Sequence, residues 1–185
     1  MVDWADLRCK QFPGASEHAS YLNSAVSGLM SRSAAAAVAA AAQEWCGDGA
    51  AAVMDPSAQL QSVRAGLARL LHCSMAEIAL TGNASDSLNT AAAMLDTDAV
   101  ALEDEFSSAT VAWLHRGKDV HFTTAADVLA CGGDILSALD RKLAENPSAR
   151  ALLVSCVSYM DGHNVDLVRA GALCRSVHVW KPSLV

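Results

Sequence analysis

The sequence predicts an α/β fold, a mostly parallel sheet with helices on both faces, and three observations point to it. Short apolar runs bounded by turn or polar residues alternate with stretches of helical spacing from residue 77 onward, as strands joined by crossover helices do. No Gly/Ser linker or internal repeat interrupts that alternation. The chain has 185 residues, 52% of them apolar, ample for one core and short of two ordinary domains.

The opening segment MVDWADLRCKQF carries Asp3 and Asp6 and no basic stretch followed by an apolar one, so it reads as neither a secretory signal nor a transit peptide. The longest small apolar run, Ala34 to Ala42, stops at Gln43 and Glu44, well short of the roughly 18 residues that cross a bilayer. A cytoplasmic protein without membrane contact is expected. With 13 Lys+Arg against 20 Asp+Glu and a formal charge of -7, broad phosphate-backbone binding, and so nucleic acid, is disfavoured.

Ser31 or Ser33 caps an alanine-rich helix that ends before a CGDG loop, and unbranched small side chains favour that helix. A second helix begins at Pro56-Ser57 and carries Leu60, Val63, Leu67, Leu70 and Leu71 on one face. Four strands are expected in EIALTG, DAVALED, KDVHFTT and ARALLVSCVS. Helices fall between or after them in ASDSLNTAAAML, SSATVAWLHR, DILSALDRKLAEN with Asp134 as N-cap, and VDLVRAGALCR. The six cysteines lack metal-ligand spacing, so they read as reduced and as small core residues; no metal site is expected.

The turn from EIALTG into the next helix is the most informative segment. Backbone N–H groups of the first turn, the helix dipole and the hydroxyls of Thr81, Ser85 and Ser87 would converge there on a phosphate. Ordinary capping, with Ser85 satisfying N–H groups and Asp86 favouring the dipole, is the alternative. Neither GxxxxGK[ST] nor GxGxxG occurs.

In order along the chain, SYLNSAVSG, SVRAGLARLLHC with Arg64, AEIALTGNASDSLN, ALEDEFSSATVAW and ALLVSCVSYMDGHNVDLVRAGALCR resemble the class V aminotransferase group of fold-type I pyridoxal phosphate (PLP) enzymes, which includes cysteine desulfurases and kynureninases. The resemblance implies an incomplete PLP-dependent transferase large domain over residues 31–176, preceded by an N-terminal segment and substrate-side loop over 1–30 and followed by a divergent tail over 177–185. It places Ala84 and Ser85 at the cofactor phosphate, with Asp86 and Asn89 completing the motif. Phe106 falls over the pyridine ring, Trp113 fits the following pattern, and Tyr159 occupies the cofactor-side turn. Asn23 and Ser24 lie in the substrate-side loop.

The same resemblance implies an amino-acid-like small-molecule substrate, group transfer or C–S/C–C lyase chemistry, PLP as cofactor and a homodimer. The family's Schiff-base lysine lies beyond the segment matched. None of Lys10, Lys118, Lys142 and Lys181 stands in its context, and no cysteine stands in the desulfurase motif. The chain is therefore expected to be truncated and by itself inactive, with no catalytic residue assigned. Two other functions compete. One is a noncatalytic interaction module using an exposed sheet edge and apolar faces; the other is a generic phosphate-ligand binder at Gly82 to Ser87.

Overall fold

Helix is the dominant element of this chain. The computed structural model describes residues 3–17, 20–24, 26–49 and 57–176, in two units, Met1–Leu80 and Thr81–Val185. The tail over 177–185, with Lys181, and part of the start at Pro56 lie outside the described residues.

The first unit is helical throughout its described elements. Asp3 caps α1 (Trp4–Gln11) by accepting from the N–H groups of Ala5 and Asp6, and α2 (Gly14–Glu17) follows. Ser31 caps α3 (Arg32–Asp48) by accepting from Ala34 N–H at 3.1 Å. No residue of α3 is buried, so alanine's intrinsic preference for helix carries it. The helix runs through most of the expected CGDG loop and closes at Gly49, whose φ of 54° lets its N–H reach back to Trp45 O at 3.0 Å.

The predicted apolar face of α4 (Ser57–Leu71) leaves Leu60, Val63 and Leu70 exposed, while Ala68 is buried. Arg64 reaches from α4 to donate to Met75 O at 2.9 Å, beside a single 3₁₀ turn over Met75–Glu77. That turn overrides the strand expected in EIALTG. Its first residue belongs to the turn, and Ile78 to Leu80 find no ladder partner, without which an extended segment is not a strand.

In the second unit α5 (Ala84–Leu95), β1 (Asp98–Leu102), α6 (Ser107–Leu114), β2 (Val120–Thr123), α7 (Ala125–Ala130), α8 (Ile135–Glu145), β3 (Ala149–Leu153) and α9 (Leu167–Ser176) follow in turn. The strands form one open parallel sheet in the order β2-β1-β3. Alternation along β1 sends Val100 to one face, against Leu136, Leu139 and Leu143 of α8 and Ala170 and Cys174 of α9. Ala99 and Ala101 point to the other, with Ala91 and Ala92 of α5 and the fully buried Trp113 of α6. Small alanines on β1 leave room for that indole.

β3 carries an irregularity at Arg150: Asp98 pairs with Ala149, while Ala99 pairs with Ala151. The exposed Arg150 is the extra residue of this irregularity, so Ala149 packs with the α8 side and Ala151 and Leu153 with the α6 side.

These elements correct the expected fold class. The sheet amounts to three strands of five, four and five residues, and no strand lies before Asp98 among the described residues. The chain is a small, mostly helical protein with a minor parallel sheet, not a sheet-framed α/β domain and not a portion of a PLP-transferase large domain. The reading of the cysteines as core residues is corrected: none forms a disulfide, Cys174 alone of the six is buried, and Cys9, Cys46 and Cys156 are exposed. No described helix is long and apolar enough to cross a membrane.

Candidate functional site

Parallel strands deliver their carboxyl ends to the same edge of a sheet, which is where open parallel sheets leave space for ligands. Here that edge holds a cavity of about 380 Å³, lined among others by Leu102, Glu103, Thr123, Ser155, Tyr159 and Asp161. The chain leaving β1 runs Glu103-Asp104-Glu105-Phe106, and its acids fasten the strand exits together. Glu103 N–H donates to Thr123 O at 3.0 Å, and one Glu103 oxygen accepts from Ala125 N–H at 2.8 Å. The half-buried Glu105 accepts from Ser155 N–H at 2.7 Å and from Phe106 N–H at 2.8 Å, and its carboxylate also takes the Ser155 hydroxyl. Charge-assisted bonds of this kind are the stronger ones.

Beyond β3 the chain makes a tight turn. Ser158 N–H donates to His163 O at 2.8 Å, Gly162 N–H donates to Ser158 O at 3.0 Å, and Val157 bridges Asn164. Gly162 supplies the left-handed residue, with φ 75°. His163 N–H and the Ser158 hydroxyl hold the Asp161 carboxyl below its usual range. Tyr159, on this turn, meets Phe106 edge to face, with ring centroids 5.3 Å apart at 81°.

The cavity is strongly one-signed. Four carboxylates line it (Glu103, Asp104, Glu105 and Asp161) with His163 beside them, and neither lysine nor arginine is among the described residues that line it. Asp104 is exposed and makes no hydrogen bond or ion pair with another described residue. Leu102, Val128, Ile135 and Val165 supply an apolar wall, and Thr123 is 1% exposed with a hydroxyl that has no partner among the described residues.

The residues assigned from the sequence fall in three places. Phe106 and Tyr159 come together at this edge, 49% and 56% exposed. Ala84 and Ser85 open α5, and Ser85 Oγ donates to Ser108 Oγ at 3.3 Å. Asn23 and Ser24 belong to the first unit, where Asn23 O accepts from Val26 and Ser27 N–H and Ser24 lines an open cavity of about 580 Å³ with Arg8, Tyr21 and Leu29. Trp113 is interior packing, and Asn89 bonds back to Ser85 O at 2.9 Å within its own helix.

The turn expected to seat a phosphate is occupied by the protein's own groups. Asn83, not Ser85, caps α5 by accepting from Asp86 N–H at 2.9 Å, and donates to the Asp86 carboxylate at 3.2 Å. Thr81 and Ser87 share a hydroxyl–hydroxyl bond of 2.6 Å. The Asp86 carboxylate lies so close over Gly82 that a Cβ there would meet it at 2.7 Å. A carboxylate already at the helix start repels a second anion.

No family model, curated protein or solved structure matches the chain. The resemblance to class V aminotransferases, cysteine desulfurases and kynureninases is therefore overturned, and with it the transferase or lyase activity, PLP as cofactor and the reading of the chain as a truncated fold-type I enzyme. The small three-stranded sheet cannot frame that site, and the described residues hold neither its phosphate seat nor a cluster able to hold a metal.

Sequence reasoning missed Thr123, Glu103 and Glu105. A signal was present for the two acids, which follow directly on the buried run of β1 where a parallel strand ends. Nothing in KDVHFTT distinguishes Thr123 from its neighbour Thr124, whose hydroxyl instead bonds Asp127.

Proposed function

We propose that the second unit is a binding module for small organic cations, taken up at the carboxyl edge of its sheet. The observation that carries this reading is a cavity of about 380 Å³ lined by four carboxylates, with no lysine or arginine among the described residues of its lining. Its volume is in the range of small-molecule sites, and a low-dielectric wall beside like charges concentrates the attraction for a cation. Glu103 and Glu105 also brace the strand exits, so the charge is held in place without the ligand. Tyr159 adds an aromatic surface that favours a cation over its face.

The test is a titration of the full chain with butylammonium and with butyrate, followed by calorimetry and by backbone amide shifts. Butylammonium is expected to bind, to shift the 103–105 and 158–163 amides and to weaken as salt rises. Asp104→Asn removes one charge that nothing else in the fold uses and is expected to weaken the cation several-fold while leaving the melting temperature unchanged. Preference for butyrate, or equal weak binding of both, refutes the reading.

A further inference from the structure

The first unit carries a cavity of the opposite sign. It measures about 580 Å³ and is lined among others by Arg8, Phe12, Ser20, Tyr21, Ser24 and Leu29, with no aspartate or glutamate among the described residues of its lining. In a chain of formal charge -7, a cavity whose only charged described residue is a cation stands apart. The acids of α1 are spent elsewhere: Asp3 accepts from the N–H groups of Ala5 and Asp6, and the Asp6 carboxylate takes Lys10 Nζ at 2.8 Å. Arg8, in the last turn of the same helix, forms no ion pair with a described residue. One of its several N–H donors reaches Ala15 O at 3.4 Å, which ties the guanidinium to the cavity wall and leaves the rest of its fork for a guest.

The walls hold together without that guest. Tyr21 donates its hydroxyl to Ser27 O at 2.6 Å, closing the loop on itself, and Leu29 lies against the start of α2, where a Cβ added to Gly14 would meet its Cδ2 at 3.5 Å. The hydroxyls of Ser20 and Ser24 line the same cavity and make no hydrogen bond to another described residue. The geometry points to a second binding site, for a monocarboxylate that carries an aryl or alkyl group: the carboxylate on Arg8 with the serine hydroxyls donating to it, and the hydrocarbon on Phe12 and Leu29. A planar guanidinium matches a carboxylate with two parallel bonds. One cation also balances a single negative charge and leaves a phosphate dianion half neutralised, and the apolar wall adds nothing to an inorganic anion.

The experiment titrates the full chain with 3-phenylpropionate, 3-phenylpropanol, butyrate and inorganic phosphate, read by calorimetry and backbone amide shifts, in the wild type and in Arg8→Gln and Ser24→Ala. The wild type is expected to bind 3-phenylpropionate about tenfold more tightly than the alcohol, the scale of one hydrogen bond to a charged group. The amides that shift are expected within residues 8–29, with those of 103–105 and 158–163 at the cation cavity unmoved. Butyrate, with less hydrocarbon to lay on the wall, and phosphate, with none, are expected to bind more weakly. Arg8→Gln is expected to bring the carboxylate down to the alcohol's affinity and to leave the alcohol unchanged; Ser24→Ala weakens the carboxylate several-fold. If Arg8→Gln fails to fold, the wild-type preference and its reduction in Ser24→Ala decide. Equal binding of carboxylate and alcohol by the wild type, an unaltered preference in Arg8→Gln, or shifts confined to residues outside 8–29 overturns the site. Phosphate binding as tight as that of 3-phenylpropionate overturns the carboxylate assignment.

Discussion

Glu105 does the work of a clamp with one carboxylate, accepting from Phe106 N–H, Ser155 N–H and the Ser155 hydroxyl. Glu105→Ala leaves these donors without their charged acceptor, and a loss of about 1–3 kcal/mol in denaturant unfolding is expected. Trp113 sits at the opposite extreme of polarity: fully buried, with an indole N–H that has no partner among the described residues. Trp113→Ala is expected to lose about 3–5 kcal/mol through the cavity it opens. Trp113→Phe is expected to lose markedly less, since it also removes an unpaired polar group. At this scale the sequence placed Phe106 and Tyr159 about a cofactor only through the overturned resemblance, and no local pattern signals that their two rings meet. The sequence was silent about Thr123, because whether a hydroxyl is satisfied depends on neighbours far along the chain.

The helices were legible where their signals are local. Ser31 and Asp134 cap α3 and α8 as their side chains suggest, Asp134 accepting from Leu136 N–H at 3.2 Å. Since α3 buries no residue, removing its cap should be felt in full. Ser31→Ala is expected to lower its stability by about 1 kcal/mol, read as faster amide exchange over residues 34–40. Strands are defined by partners rather than by themselves, and this separates DAVALED, KDVHFTT and ARALLVSCVS, which pair, from EIALTG, which does not. The family resemblance failed for a related reason. Its motifs are short strand–turn–helix phrases, and the same residues at the start of α5 satisfy one another: Asn83 with Asp86, Thr81 with Ser87, Ser85 with Ser108.

Across the molecule, the two most strongly lowered carboxyls, Asp127 and Asp134, lead the response to acid. The capping bonds of Thr124 N–H and hydroxyl, aided by Lys142, hold Asp127 at about 2, and Arg169 with the Ser137 hydroxyl holds Asp134 at about 2. Both bind protons more weakly in the fold than in the unfolded chain, where the ordinary value is about 4. Their contribution is therefore complete above that value and fades as the pH falls toward about 2. Melting temperature is expected to drop over that window, and the paired substitution Asp127→Asn with Asp134→Asn is expected to flatten the drop while lowering stability at neutral pH. High salt weakens the effect, because these ion pairs are partly exposed. The global error of the sequence reading was one of proportion: alternating segments were present, yet three short strands do not make the sheet the framework of the chain.

The extra residue at Arg150 gives β3 an unusual tolerance. Excising that one residue joins Ala149 directly to Ala151, the partners that already oppose Asp98 and Ala99, so every inward side chain keeps its side. Excising Leu152 instead would turn the strand's upstream half inside out, exchanging what greets α8 for what greets Trp113. A shortened chain lacking Arg150 should fold with β3 in register on β1, losing among its contacts the hydrogen bond from the Arg150 N–H to the Thr97 hydroxyl, while one lacking Leu152 should not.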